Sequence, residues 1–238
     1  MSGKLYVIGV GPGDPELLTL KATRILNKVA CVCVPKGREE GMSLALSIVK
    51  KVINVDDKEI IESHFPMRKT RPQEHECELD ARWQEIVENV MSRLNKGIDI
   101  AFITIGDPTI YSTFFYLYDK LLALNPELNI EIIPGVSSIN TAAARAGLSL
   151  GLANEKIAIL PATYTDDIKE TLERFDTVVL MKVHKVFDKI CDILNDMNLT
   201  DNAVYISRAG MDDEKIINNI CKVKKKDLNY FSVVIIKK

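Results

Sequence analysis

Short apolar runs and amphipathic stretches alternate along almost the whole chain. Brief apolar runs are typical of buried strands, and apolar positions at a 3.6-residue period indicate helices. Strands are predicted at residues 4–9, 30–34, 98–105, 129–133, 156–160, 177–181, 203–207 and 231–236. Helices are predicted at residues 15–29, 42–50, 73–96, 111–124, 138–146, 166–174 and 186–197. Residues 56–73 have poor periodicity and are expected to hold a strand and a loop.

This alternation indicates the fold class and the domain organisation. Strands that alternate with helices are typical of α/β layers built on a mostly parallel sheet. The turn at residues 106–108 (Gly-Asp-Pro) lies near the midpoint of the chain, so we expect two α/β domains, 1–108 and 109–238. Two such domains would leave an interdomain cleft, and small ligands commonly bind in clefts of this kind.

Composition and charge narrow the class of protein. Of the 238 residues, 47% are hydrophobic and 27% are charged, as in ordinary globular proteins. The chain has 31 basic and 33 acidic residues and a net charge of -2, which argues against a uniformly basic nucleic-acid-binding surface. No apolar run approaches the ~20 residues of a membrane helix, and neither a membrane span nor a secretory leader is expected.

The cysteines and histidines show no disulfide or metal-ligand pattern. The five cysteines form no CxxC pair and are odd in number, which predicts reduced thiols in a cytoplasmic protein. His64, His75 and His184 are not spaced as zinc ligands, so no protein-bound metal is expected. The sequence also lacks a Gly-x-Ser-x-Gly elbow, which argues against covalent hydrolysis.

A glycine-rich turn, residues 9–14 (Gly-Val-Gly-Pro-Gly-Asp), follows the first predicted strand. The dinucleotide-binding fingerprint requires a third glycine where this chain has Asp14, whose carboxylate would repel a pyrophosphate. Pro12 removes a further amide donor, so NAD and FAD are disfavoured, and no P-loop is present. From spacing alone, a tight turn without a ligand and a ligand-binding loop both remain open.

Small or polar residues also follow four later strands, at residues 106–113, 134–138, 180–182 and 208–210. Helix capping explains the first two separately, with Asp107 as the capping residue of one and Ser137 or Ser138 as that of the other. Ligands of open α/β sheets gather beyond the carboxyl ends of the strands. Taken together, these strand ends predict a ligand crevice.

Two basic clusters stand out in an otherwise balanced chain. Arg68, Lys69 and Arg71 form the first, for which a polyanionic ligand is predicted because arginine pairs carboxylates in a bidentate way. Lysines at 222 and 224–226 form the second, which is interpreted as a solvated surface.

Taken in order, these motifs resemble those of the tetrapyrrole methylases, a family that uses S-adenosylmethionine. The resemblance rests on residues 9–22, 106–108, 134–138 and 208–210 and covers nearly the whole chain. It implies a two-domain α/β homodimer that binds the methyl donor in the interdomain cleft. The first domain would form the substrate side of the cleft, and the second would carry the methyl-donor site.

Within that family the chain most resembles the carbon-20 methyltransferases of cobalamin biosynthesis, which act on precorrin-2 or cobalt-factor II (cobalt-sirohydrochlorin). This resemblance is carried by residues 65–67, 106–114, 160–163, 179–182, 208–211 and 230–232. His64 and His184 depart from the pattern, which has an acidic residue and a glycine at those positions. The Lys-, Ile- and Asn-rich composition suits an anaerobe and favours the cobalt-containing acceptor.

The resemblance also implies a set of site residues. The donor would be bound by Pro12, Ile105, Gly106, Asp107, Ile110, Ser137, Ser138, Leu180, Met181, Ala209 and Gly210. The candidates for a general base are Asp107, Tyr111 and His64. Substrate carboxylates would meet Arg68, Lys69, Arg71, Arg145, Lys182 and Arg208, with a helix C-terminus as the alternative role of Arg145.

Two other classes of function stay open on the sequence. One is another methylase of the same fold, acting on a different corrin position, on ribosomal RNA or on diphthine. The near-zero net charge argues against RNA, and the cobalamin-type motifs argue against RNA and diphthine alike. The other is a non-catalytic nucleotide-binding module, which would bind an adenosine ligand without turnover.

Overall fold

The computed structural model describes residues 2–36, 43–64, 76–162 and 167–238, and the side chains of 63, 64 and 76–81 fall outside the description. The chain divides into two compact units, Met1–Ser137 and Ser138–Lys238. Among the described residues, each unit holds one five-stranded sheet flanked by helices. This arrangement confirms the predicted α/β class.

Strands and helices alternate through the first unit. Its strands are β1 (Leu5–Gly9), β2 (Cys31–Lys36), β3 (Glu59–His64), β4 (Ile100–Thr104) and β5 (Ile130–Ile133). Its helices are α1 (Leu20–Lys28), α2 (Leu44–Lys50), α3 (Glu76–Leu94) and α4 (Phe115–Leu124). The strands are ordered β3-β2-β4-β1-β5, and every pair of neighbours is parallel.

The division between the units falls later in the chain than the turn at 106–108. Strand β5 pairs with β1, with Leu5 opposite Ile130. Phe114 and Leu117, at the start of α4, pack in the same core as β1 and β4. Residues 109–137 therefore belong to the first unit, because β5 completes a sheet whose other strands precede it in the chain.

The glycine-rich turn leads into helix α1 in two steps. The side chain of Asp14 accepts a hydrogen bond from the backbone N–H of Glu16 (2.9 Å) and caps a 3-10 helix at Pro15–Leu17. Leu18 is extended, and the Thr19 hydroxyl then caps α1 by accepting from the N–H of Ala22 (3.1 Å). The predicted continuous helix is thus a 3-10 turn followed by a separately capped α-helix.

The central strands of the first sheet are buried on both faces. Cys31 and Cys33 face the core shared with α3 and α4, whereas Val32 and Val34 face the core shared with α1 and α2. Such burial is expected of a parallel sheet covered by helices. It also raises the pKa of the Cys33 thiol to about 12, so this cysteine is an inert part of the core.

The second unit carries a mixed sheet. Its strands are β6 (Ile157–Pro161), β7 (Thr177–Met181), β8 (Ala203–Ser207), β9 (Lys215–Ile217) and β10 (Ser232–Lys237). Its helices are α5 (Ser138–Arg145), α6 (Ile168–Arg174) and α7 (Phe187–Asp196). The strand order is β6-β7-β10-β8-β9.

Strand directions in this sheet differ from the mostly parallel arrangement that the alternation predicts. Strands β6 and β7 are parallel, but β10 lies antiparallel between β7 and β8, and β9 is antiparallel to β8. Strand β10 is buried along five of its six residues. Because an apolar run reads the same in either direction, its pattern predicts a central strand and not its orientation.

No helix within the described residues combines the length and the apolar character needed to cross a membrane.

Candidate functional site

Three loops meet at the carboxyl edge of the first sheet. They follow β1, β4 and β5, which are adjacent and parallel, so their carboxyl ends lie at one edge. The loops after β1 and β4 are joined directly: Gly106 N–H donates to the Gly11 carbonyl (2.7 Å), and Gly11 N–H donates back to the Gly106 carbonyl (3.4 Å). Ligand sites of parallel α/β sheets form at such an edge.

Glycines allow these three loops to approach so closely. A Cβ atom on Gly9 would lie 2.5 Å from the carbonyl oxygen of Gly106, and one on Gly135 would lie 2.4 Å from the same oxygen. Both separations are shorter than real Cβ contacts allow. The edge is therefore a cradle of backbone atoms that any side chain at these positions would disrupt.

Asp107 ties two of the loops together. Its Oδ2 atom accepts the N–H of Gly135 (2.9 Å), in the loop after β5. Its Oδ1 atom accepts the N–H of Thr109 (2.8 Å) and also the Thr109 hydroxyl. Each oxygen of this predicted catalytic and donor-binding carboxylate thus holds a loop in place.

The other predicted residues of the first unit lie along the same edge. Pro12 and Ser137 are buried, whereas Ile105 and Ile110 are half-buried. Tyr111 is exposed and adopts a left-handed backbone (φ 52°). Partial burial of its ring raises the pKa of Tyr111 above its ordinary value, so the phenol stays protonated near neutral pH.

The second sheet presents a corresponding edge. Leu180 and Met181 end β7, Ala209 and Gly210 follow β8, and the antiparallel strand β10 begins there. The N–H of Lys182 donates to the Ser232 carbonyl (2.9 Å), and the N–H of Arg208 donates to the Phe231 carbonyl (2.7 Å). Ser138 is the first residue of α5 in the same unit.

Lys182 and Arg208 both adopt the left-handed backbone conformation, with φ values of 58° and 54°. This conformation costs a residue with a side chain about 1–2 kcal/mol, and such residues concentrate at functional sites. The two strained positions flank the start of β10 and mark this edge independently of its sequence motifs.

Two of the predicted substrate-binding cations have carboxylate partners inside the second unit. Arg208 pairs through its Nε atom with Asp213. Arg145, the last residue of α5, donates from Nε to both oxygens of Glu214 (3.0 and 3.1 Å). Glu214 also accepts the N–H of Gly210 (2.7 Å), and the sequence interpretation did not single out this residue.

The Tyr230 ring lies against Lys182, which is another of the predicted substrate-binding cations. Its Nζ atom lies 5.6 Å from the ring centroid of Tyr230, over the ring face. His184 contacts the same ring edge-to-face, with 5.6 Å between centroids. Burial lowers the pKa of His184, which follows β7 in the 3-10 helix Val183–Lys185. A cation stacked on an aromatic ring remains able to meet an anionic ligand.

The remaining predicted residues are only partly within the description. Arg68, Lys69 and Arg71 lie outside the described residues. His64 ends β3, in register with Lys36, so its backbone is at the carboxyl edge of the first sheet. Within the part of the chain that the structure describes, no group of three or more His, Cys, Asp or Glu side chains is arranged to hold a metal ion.

The class of protein follows from comparison with known families. Residues 4–224 match the family model of the tetrapyrrole (corrin/porphyrin) methylases. The match spans both units and all the strand-end loops described above, and the chain belongs to this family.

Individual relatives match over the full length. The chain is 34% identical to the cobalt-precorrin-2 C(20)-methyltransferase of Salmonella typhimurium, covering 100% of this chain and 98% of that protein. It is 37% identical to the probable cobalt-precorrin-2 C(20)-methyltransferase of Methanocaldococcus jannaschii, covering 99% and 96%. It is 26% identical to the precorrin-2 C(20)-methyltransferase of a Sinorhizobium species, covering 98% and 95%.

Solved structures share the fold. A cobalt precorrin-4 methyltransferase superposes with a TM-score of 0.76 at 20% identity, covering 98% of this chain and 94% of that one. The uroporphyrin-III C-methyltransferase of Thermus thermophilus, complexed with S-adenosyl homocysteine, gives a TM-score of 0.67 at 19% identity, covering 99% and 98%.

Proposed function

We propose that this protein transfers a methyl group from S-adenosylmethionine to carbon 20 of a cobalt-containing acceptor of the precorrin-2 type, such as cobalt-factor II (cobalt-sirohydrochlorin), in cobalamin biosynthesis. The observation that carries the proposal is the full-length similarity, at 34% and 37% identity, to two relatives named for carbon-20 methylation of a cobalt-precorrin. The cobalt-containing acceptor is supported by the lower identity, 26%, to the relative named for metal-free precorrin-2.

The glycine cradle fits the proposed methyl donor. A donor that carries a nucleoside and an amino acid can be bound through backbone polar groups, and the close-packed loops at Gly9, Gly106 and Gly135 present backbone atoms at this edge. In the first unit the proposed donor residues are Pro12, Ile105, Gly106, Asp107, Ile110 and Ser137. In the second unit they are Ser138, Leu180, Met181, Ala209 and Gly210.

The proposed donor residues need only position the reactants, because the donor is already activated. Bound S-adenosylmethionine supplies a methyl group that its positive sulfur already activates. The loops therefore have to hold donor and acceptor in line and exclude water, and such positioning accounts for large rate effects. The bonds from Asp107 to Gly135 and Thr109 keep two of these loops rigid.

A proton must also leave carbon 20 of the acceptor. Because both oxygens of Asp107 accept loop N–H groups, we assign this residue to positioning. Tyr111 keeps its phenolic proton near neutral pH and is suited to donate a hydrogen bond from Oη. His64 is the proposed base, since an imidazole titrates near neutrality.

Cationic side chains would hold the substrate carboxylates. In the proposal Lys182 and Arg208 serve this role at the edge of the second sheet, together with the predicted cluster Arg68, Lys69 and Arg71. The family resemblance further supports a cytoplasmic homodimer as the working form.

An anaerobic turnover assay tests the proposal. The protein is given S-adenosylmethionine with cobalt-sirohydrochlorin or metal-free precorrin-2, and products are identified by mass and visible spectrum. The expected result is the gain of one methyl group, with cobalt-sirohydrochlorin preferred. Preference for precorrin-2 would correct the acceptor, and no methyl gain on either, with donor binding intact by calorimetry, would refute the proposed function.

A further inference from the structure

The turn at residues 208–214 joins β8 to β9 and contains the proposed donor residues Ala209 and Gly210. Two backbone hydrogen bonds shape it, from Met211 N–H to the Arg208 carbonyl (2.9 Å) and from Glu214 N–H to the Met211 carbonyl (3.0 Å). Arg208 and Gly210 both have positive φ, 54° and 76°. The left-handed conformation is unfavourable for Arg208 but not for Gly210, so the surrounding structure must hold Arg208 in this shape.

Glu214 supplies that restraint from the end of the turn. Its Oε2 atom accepts the N–H of Gly210 at 2.7 Å, a length typical of a charge-assisted hydrogen bond. The Glu214 side chain is only 14% exposed, so solvent competes little for this carboxylate. A largely shielded acceptor that binds the Gly210 N–H restrains the orientation of the peptide between Ala209 and Gly210.

Arg145 completes the restraint from helix α5. Its Nε donates to both Glu214 oxygens, so the guanidinium holds the carboxylate in the orientation that Gly210 requires. The link runs from a rigid helix through two side chains to the backbone of the turn. The adjacent carboxylate, Asp213, differs from Glu214. Its side chain is 63% exposed and pairs with the side chain of Arg208, not with the backbone of the turn.

We propose that Glu214 is a positioning residue for the methyl donor. It holds the Ala209–Gly210 backbone in the shape that receives the donor, and Arg145 orients it. This inference rests on the proposed function, from which the donor-binding role of the turn is taken. It also reassigns Arg145, which the sequence placed among the substrate-binding residues, to donor binding through Glu214.

Donor affinity measured without acceptor tests the inference. Calorimetry with S-adenosylhomocysteine is applied to the full chain and to Glu214→Ala, Glu214→Gln and Arg145→Met. The Ala variant is expected to bind about tenfold more weakly, because a hydrogen bond to a charged group is lost. The Gln variant keeps a neutral acceptor for Gly210 N–H and is expected to lose about threefold, as is Arg145→Met.

The matched control is Glu170→Gln. Glu170 forms an exposed ion pair with Arg174 on α6 of the same unit, so its loss should leave donor affinity within twofold of the parent protein. In steady-state assays the Glu214 variants should raise the KM for the donor and leave the KM for the tetrapyrrole within twofold. A general loss of folded protein would instead lower the apparent kcat, and a general distortion of the site would raise both KM values.

Three results would overturn the inference. The first is parental affinity in a folded Glu214→Ala variant, or in Glu214→Gln if the Ala variant does not fold. The second is an equal rise in both KM values. The third is an Arg145→Met variant that raises only the KM for the tetrapyrrole. Failure of the proposed function looks different, because the parent protein would then bind S-adenosylhomocysteine and methylate neither acceptor.

Discussion

The two units hold the loops at the carboxyl edges of their sheets in different ways. In the first unit, backbone meets backbone: Gly106 and Gly11 exchange hydrogen bonds, and Gly135 packs against Gly106 and Gly9. In the second unit, residues with side chains adopt the left-handed conformation, as at Lys182. A carboxylate, Glu214, then fastens the turn. Both edges use a carboxylate, Asp107 in the first unit and Glu214 in the second, but the first edge also requires glycine at its closest contacts.

This difference has a physical basis in the two sheets. The first sheet is parallel throughout, so the loops that follow its strands all leave at the carboxyl edge and crowd one another. In the second sheet β10 runs antiparallel between β7 and β8, so the start of a strand separates two loops. Each turn at this edge is held by its own hydrogen bonds, as Gly210 is by Glu214.

The largest expected effect on stability comes from adding a methyl group where the glycines of the first unit pack together. Gly135→Ala would place Cβ against backbone atoms of Gly106 and Gly9, and we expect unfolding free energy to fall by about 3 kcal/mol. Gly147→Ala in the second unit is the control, since its Cβ meets nothing and only its φ of 66° opposes the change. That variant should lose about 1 kcal/mol.

Urea unfolding of both variants measures this comparison. Equal losses for Gly135→Ala and Gly147→Ala would mean that the first edge can relax, and that its glycines are needed only for backbone conformation. Binding of S-adenosylhomocysteine should also be lost in folded Gly135→Ala and retained in Gly147→Ala.

At the carboxyl edge of β7 in the second sheet, replacing a side chain by glycine is expected to raise the free energy of unfolding by a smaller amount. Lys182→Ala keeps a side chain at a φ of 58°, whereas Lys182→Gly removes it. Both variants lose the proposed contact with substrate, so their difference isolates the backbone. The Gly variant should be more stable than the Ala variant by about 1 kcal/mol in urea unfolding. An Ala variant as stable as the Gly variant would show that Lys182 is not strained.

The smallest expected effect concerns acid stability. Lys21 and Lys4 hydrogen-bond the Glu131 carboxylate in the first unit and lower its pKa from 4.5 to about 2. Because the folded state favours the ionised form, this stabilisation is complete above the unfolded pKa. It is lost as pH falls from about 4.5 to about 2.

Glu131→Gln should therefore flatten the dependence of melting temperature on pH between pH 5 and pH 2. Glu155→Gln is the counterpart in the second unit, where the Lys237 ammonium lowers the pKa of Glu155. The change in slope should be larger for the Glu131 variant, because two lysines contact that carboxylate. The same slope in Glu131→Gln as in the parent protein would contradict the assigned ion pairs.

Periodicity predicts the elements of this chain well where the apolar residues of an element form a clear pattern in the sequence. The strands 177–181 and 203–207 are predicted with the bounds that the structure has, because each is a continuous apolar run between polar residues. Strand β9 was not predicted, since its three residues are largely exposed and carry no apolar pattern. Its pairing with β8 gives it a place in the sheet.

The candidate site likewise contains residues that local sequence motifs reveal and residues that only tertiary contacts reveal. Glycine-rich and small-residue strand ends are visible in the sequence, and Gly106 and Gly135 indeed meet at one edge. Glu214 carries no local signal, because an acidic residue in a polar surface stretch is ordinary. Its role becomes apparent only when Arg145, 69 positions away in the chain, is seen beside it.

The sequence by itself determined the α/β class, the positions of most strands and helices, and the family, because these depend on local periodicity and on motifs of adjacent residues. Tertiary structure decided that the first unit runs to Ser137, that β10 is antiparallel, and that Arg145 faces a carboxylate. Each of these depends on which distant segments pair. That choice is made by the fit of whole surfaces, which no short stretch of residues contains.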